Sequence, residues 1–304
     1  MNTAPDAALP RFIDTMAARL TRVRGVRAVT LGGSRAGGTH RPDSDWDLGV
    51  YYRGGHGGID RAASGLDRAA LAELAALAAA MTGSPMEVAG PGKWGPWVNG
   101  GAWLSVDGVA VDWILRDLDR VERVWEQCRE GRFEVGTQPG HPLGFWSPAY
   151  AGEVALCRVL ADPTGELTAL REAAQTYPEP LRRALAEAAW EADFSVAAAR
   201  KSAGGVTGGP AGGVTGGPAG TGDVLHVSLC LSRAFGILVQ ALLAHHRVWC
   251  LNEKGATATA AALPDTPPDF AARIARALRS LDAEAVEAAG ALVTEVRTVL
   301  DAGA

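Results

Sequence analysis

Apolar residues change period several times along the first part of the chain. Phe12, Ile13, Met16, Leu20 and Val23 recur at helical spacing, and Gly25 stands where a helix C-terminal cap belongs. Val26 to Leu31 then predicts a short strand, and Asp45 to Tyr52 a second one. In that second strand Trp46, Leu48 and Val50 share one face, while Asp45, Asp47 and Gly49 share the other. A Gly-rich loop follows at "GGHGG", and Asp67 reads as the N-cap of a helix with Leu71, Leu74, Leu77 and Met81 on one side. Met86 to Ala89 predicts another strand. Beyond a Trp/Gly/Pro loop, Ala102 to Val106 and Val109 to Arg116 predict a hairpin, because Asp107-Gly108 suits a two-residue turn with positive φ at both positions. Asp119 to Arg129 closes this part as an amphipathic helix with Val121, Val124, Trp125 and Cys128 inward.

The pattern changes after "GTQPGHPLGFWSP". Downstream there is almost no strand signal, and helices are expected near 151–160, 166–176, 180–202, 223–248, 268–280 and 282–301. The expected fold is therefore an α/β (α+β) N-terminal domain with a small mixed sheet, over residues 1–140, followed by an all-α domain over residues 148–304. Inside the second domain "AGGVTGGPAGGVTGGPAG" repeats an eight-letter unit in tandem. Two copies without core-forming residues read as a flexible insertion at 203–220, neither a solenoid nor a phosphate loop, which would need Lys-Ser/Thr.

Composition narrows the class. Of the 304 residues 47% are hydrophobic and 21% charged, enough for a sizeable core. A net charge of -5 argues against a dedicated nucleic-acid binder. The N-terminal stretch has no signal-type apolar core, and Val224 to Trp249, interrupted by Arg233, Gln240 and His245, reads as a buried helix and not a membrane span. The four cysteines, Cys128, Cys157, Cys230 and Cys250, form no Cys-x-x-Cys pair, which fits reduced thiols and a cytoplasmic location. Cys250 with His245 and His246 is too loose for zinc-ligand spacing.

The chemistry concentrates in "LGGSRAGGTHRPDSDWDLGV", Leu31 to Val50. Asp45 and Asp47 lie two apart on a strand, with α-carbons about 6.5–7 Å apart and side chains on one face. Buried residues behind them fix which way they point. Two such carboxylates can share divalent cations for in-line phosphoryl chemistry. Asp112, between Ala110 and Ile114 on the hairpin, is costly there unless paired or metal-bound, and fits a third ligand or a base. Gly33-Ser34 follows a strand and opens a short helix, where backbone N–H groups and the Ser34 hydroxyl could cradle phosphates. Arg35, His40 and Arg41 are either phosphate contacts or surface charge. An EF-hand is excluded, because Leu48 and Gly54 occupy the positions of its glycine and glutamate.

The segment "GGSRAGGTHRPDSDWDLGV", with Gly-Ser followed at a spacing by Ser-Asp-x-Asp, resembles the signature of the DNA polymerase β-like nucleotidyltransferase superfamily. "DGVAVDWILRD" resembles its third-carboxylate strand, and a helical second domain resembles the aminoglycoside and lincosamide nucleotidyltransferase branch. The resemblance spans about Val26 to Arg116. It implies Gly33 and Ser34 for the triphosphate, Asp45 and Asp47 for two Mg²⁺ ions, and Asp112 as the third acid. Some relatives use a glutamate on an earlier strand as base, for which Glu87 is the candidate. Through "HHRVWCLNEKGA" it also implies a phosphate-reaching lysine, Lys254.

These readings converge on transfer of a nucleoside monophosphate from a Mg-bound NTP, with ATP the donor implied by resemblance, to a hydroxyl of a small-molecule acceptor such as an aminoglycoside-like antibiotic. The acceptor is expected in a cleft against the helical domain. A protein or RNA acceptor, of the toxin–antitoxin kind, is the alternative within the class. A regulatory protein that binds nucleotide without catalysis is the alternative outside it. Trp94, Trp97 and Trp103 read as core and hairpin packing, with stacking on a base or acceptor as the competing role. No membrane partner is expected, and the sequence leaves a homodimer open.

Overall fold

A computed structural model describes residues 10–54, 65–203 and 223–303. They form two compact units, one running to Cys128 and resuming over Phe133–Thr176, the other comprising Arg129–Arg132 and the chain from Tyr177 onward. The tandem Gly-rich insertion lies outside the described residues.

The first unit contains α1 (Arg11–Leu20), β1 (Val26–Leu31), α2 (Gly33–Ala36), β2 (Trp46–Tyr52), α3 (Arg68–Thr82), β3 (Gly101–Val106), β4 (Val109–Asp117), α4 (Leu118–Arg129), β5 (Val135–Gln138), β6 (His141–Trp146), α5 (Ala149–Leu156), β7 (Arg158–Ala161) and α6 (Glu166–Ala174). Five strands form a mixed sheet in the order β3-β4-β2-β1-β7. β2 and β4 run parallel, and the other neighbours are antiparallel.

The two faces of this sheet differ. Behind it, Leu48, Val50, Val111, Trp113 and Leu115 are completely buried against Ile13, Met16 and Leu20 of α1 and Leu74 of α3. The Trp113 indole N–H donates to Met16 Sδ at 3.1 Å, so even the polar edge of this ring is satisfied. Burying each such side chain contributes about 1.5–3 kcal/mol. Asp67 caps α3 by accepting from the Ala70 N–H, and Gly83 ends it in the left-handed conformation.

In front, among the described residues, the ends of β2 and β4 are covered by α5. There Arg116 forms a two-pronged ion pair with Glu153 of α5, at 2.7 Å on each arm, and Tyr51 lies buried opposite Arg116 on β2. Toward the start of β2 the front face is more open and carries Asp47, Asp112 and Trp103. Alternation along β2 explains this division: one strand holds core residues behind and polar ones in front.

The first unit differs from the sequence pattern in three places, and in the second unit the helix expected at 180–202 is broken into Glu179–Glu187 and Trp190–Ala203. Met86 to Ala89 does not form a strand. Only a single bridge, Ala89 to Gly101, joins it to the sheet. Val135–Gln138 and His141–Trp146 form a hairpin in a segment to which the sequence pattern assigns no element, and Pro and Gly in the segment obscure its alternation. The helix expected near 151–160 stops at Leu156. Arg158–Ala161 then adds β7 to the free edge of β1, which carries the first unit beyond the composition change near residue 140. Four residues are too short for a period, so pairing with β1 decides their conformation.

The second unit is helical: α7 (Glu179–Glu187), α8 (Trp190–Ala203), α9 (Val224–His245), α10 (Ala256–Ala261), α11 (Phe270–Ser280) and α12 (Ala283–Ala302). α9 is long and apolar enough to span a membrane by length and composition. It is instead mostly buried within its unit, with Leu231, Leu238 and Leu242 fully enclosed. Ion pairs such as Arg233–Glu191 and Arg273–Glu295 join neighbouring helices.

Candidate active site

The open part of the front face is built around the junction of β1, α2 and β2. The chain leaves β1 at Leu31, and the Gly32 N–H donates to the Asp47 carbonyl at 2.8 Å. Gly33 follows with φ of +60° and opens the one-turn α2. A side chain there would be strained by φ, and its Cβ would fall 1.8 Å from Asp47 Oδ2. Glycine thus lets the turn press directly on the carboxylate. The first N–H groups of a helix have no intrahelical acceptor, so this turn presents donors beside Asp47.

Asp45 stands just ahead of β2, exposed, and Asp47 is the second residue of that strand. Asp112 on β4 is in direct register with Asp47 across the parallel pair. One carboxylate oxygen from each of the three lies within 4.8 Å of the others. Burial pushes the Asp112 carboxyl up to about 6, and the neighbouring Asp45 charge adds to the rise. Three hard oxygen donors at mutual repulsion fit a divalent cation such as Mg²⁺, which would relieve the strain in charge. The sequence had assigned these three acids to one site, and the fold brings all three together.

Residues 11–84 match a family model described as a nucleotidyltransferase domain. The chain carries a nucleotidyltransferase domain. The matched segment includes Gly33, Ser34, Asp45 and Asp47 and ends before Asp112, which β4 brings beside it. Among solved structures, the chain is similar to a nucleotidyltransferase-like protein from Exiguobacterium sibiricum. The identity is 11% and the TM-score 0.44, over 94% of this chain and 73% of that one. No curated protein matches the sequence.

Within the nucleotidyltransferase domain, Arg35 turns toward its own backbone. Its Nε donates to the carbonyls of Ser44 at 3.1 Å and Asp45 at 3.0 Å, and its guanidinium lies 4.1 Å from the centroid of the Trp46 ring. The side chain therefore braces the loop between α2 and β2 and fixes the backbone at Asp45. Only the fold reveals this role, since Ser44 and Asp45 carbonyls leave no trace in sequence. His40 and Arg41 are exposed in the same loop, and the Arg41 N–H donates to Ser44 Oγ at 2.9 Å.

Glu87 is exposed in the segment before β3 and stands outside the carboxylate group. Lys254 belongs to the second unit, exposed just before α10, where its backbone N–H donates to Asn252 Oδ1. The tryptophans divide. Trp97 is core, stacked on Phe145 with centroids 5.4 Å apart. Trp103 is 65% exposed and stacks face to face on Trp94. Gln138, which sequence reasoning passed over, is buried and organises the Trp94–Val98 loop: its Oε1 accepts from the Trp97 and Val98 N–H groups, and its Nε2 donates to the Trp94 carbonyl.

Proposed function

We propose that the first unit transfers a nucleoside monophosphate, AMP in the simplest case, from an NTP to a hydroxyl of a small-molecule acceptor. The observation that carries this reading is the gathering of Asp45, Asp47 and Asp112 within 4.8 Å beside the Gly33 turn. The acceptor class rests on the sequence resemblance to antibiotic-modifying enzymes and on the net charge of -5, which disfavours a nucleic-acid acceptor.

Asp45, Asp47 and Asp112 would hold Mg²⁺, two ions in the reading offered here, which when bound neutralises the triphosphate and polarises the reacting phosphoryl group. The backbone N–H groups and hydroxyl of the Gly33-Ser34 turn hold the outer phosphates. Asp112, in register with Asp47 on the neighbouring strand, is the third ligand or the base that accepts the proton of the acceptor hydroxyl. The acceptor oxygen bonds to the α-phosphorus as the bond from that phosphorus to the bridging oxygen breaks. The electron pair leaves with pyrophosphate toward the turn. Arg35 keeps the Asp45 backbone in position throughout.

The direct test incubates the protein with labelled NTPs, Mg²⁺ and a panel of aminoglycosides, lincosamides and RNA. Pyrophosphate release with a labelled product is expected, and it is lost in Asp45→Ala plus Asp47→Ala. Release that survives this double substitution overturns the assignment of the site. Label appearing on RNA alone overturns the small-molecule acceptor.

A further inference from the structure

The front face carries a feature that the transfer step above leaves unused. Trp103 is in register with Asp112 across β3 and β4, and Asp112 with Asp47 across β4 and β2. One row across three strands therefore reads Trp103, Asp112, Asp47, with side chains on a common face. Adjacent strands stand about 4.8 Å apart, which puts the Trp103 backbone about 5 Å from that of Asp112 and about 10 Å from that of Asp47. Trp103 stacks on Trp94 with centroids 4.3 Å apart and planes 13° apart, yet remains 65% exposed.

The stack is held in place. Besides the Gln138 bonds, the Trp94 N–H donates to the Asn99 carbonyl at 3.1 Å, and the Gly92 N–H to Asn99 Oδ1 at 2.8 Å. Trp94 also packs over Gly101, where a Cβ would lie 2.9 Å from its ring. A large apolar ring kept in water on a strand and backed by a braced loop is a preorganised surface.

We propose that Trp103, backed by Trp94, is the acceptor subsite, and that it takes the flat face of a cyclic, hydroxyl-bearing small molecule. This rests on the nucleotidyl-transfer reading. The direction follows from the sheet order β3-β4-β2-β1. The phosphate turn leaves β1 on one flank of Asp47, and pyrophosphate departs that way. An in-line displacement brings the attacking hydroxyl from the opposite flank. That flank holds first Asp112 and then Trp103. A ring lying on the indole therefore presents its hydroxyl to Asp112. An amino group on the ring gains cation–π attraction from the same indole.

The test titrates wild type, Trp103→Ala and Trp103→Phe with kanamycin, lincomycin and the open-chain polyol sorbitol, in Mg²⁺ and a non-hydrolysable ATP analogue. Indole fluorescence and calorimetry both report binding. At least one ring-bearing probe is expected to bind and quench, about tenfold more weakly in Trp103→Ala, with Trp103→Phe retaining most of the affinity. Sorbitol binding is expected to be the same in all three. The proposal is overturned if neither ring-bearing probe binds wild type, if their affinities are equal across variants, or if Trp103→Ala weakens the ATP analogue instead, which would make the stack a nucleobase platform. Binding of the ATP analogue to wild type is read in the same experiment. Its absence overturns the nucleotide site itself.

Discussion

The Cβ that Gly33 lacks would lie 1.8 Å from Oδ2 of Asp47. The turn proposed to hold phosphates and the acid proposed to hold metal thus share one volume, and only a hydrogen side chain fits between them. Gly33→Ala is expected to abolish Mg²⁺-dependent NTP binding by calorimetry, since the methyl must displace either the carboxylate or the turn. The melting temperature should fall by a few degrees as well, because a side chain at a left-handed φ is strained and its methyl displaces Asp47 or the turn. Unimpaired NTP binding in this variant would refute the shared-volume argument.

Asp112 gives a pH signature. Its folded-state value of about 6 exceeds the ordinary 3.8, so the fold favours the protonated carboxyl. Its contribution to stability is fully present below about pH 4 and is lost as pH rises through about 6. Asp112→Asn should therefore raise the melting temperature of the metal-free protein at pH 8 and leave it nearly unchanged at pH 4. Addition of Mg²⁺ should stabilise wild type at pH 8 far more than the variant. A variant less stable than wild type at pH 8 without metal would contradict the assigned cause.

Arg35→Lys separates bracing from charge. Lysine keeps the positive charge but cannot both reach the Ser44 and Asp45 carbonyls and stack on Trp46 as a planar fork does. The expected outcome is a roughly tenfold weaker affinity for Mg²⁺ by calorimetry, with the fold intact by circular dichroism. Equal affinity would assign the residue to charge alone.

The Arg116–Glu153 pair, with its guanidinium buried and its carboxylate half-buried, supports the closed end of the front face. Glu153→Gln leaves an enclosed guanidinium with a weaker partner and should cost about 3 kcal/mol in urea unfolding, whereas Arg116→Met with Glu153→Leu should cost less. Additive losses would show that the two groups do not act as a pair.

The sequence by itself determined the order of the first elements, β1, α2, β2, α3 and the β3–β4 hairpin. Alternation and helical periodicity are local, and Asp107-Gly108 and Asp67 are punctuation with a direct backbone cause. It also determined which way Asp47 faces: Trp46, Leu48 and Val50 must be buried, and this forces Asp47 forward. What depended on partners distant in the chain was decided only by the tertiary structure. β7 is a strand because β1 offers it an edge, and Met86 to Ala89 is not one because it gains a single bridge, to Gly101 of β3. Arg35 became a brace because carbonyls nine and ten residues away turn back to meet it. Trp103 stayed in water beside Asp112 because parallel pairing of β2 with β4, which no local pattern encodes, set the register of the whole row.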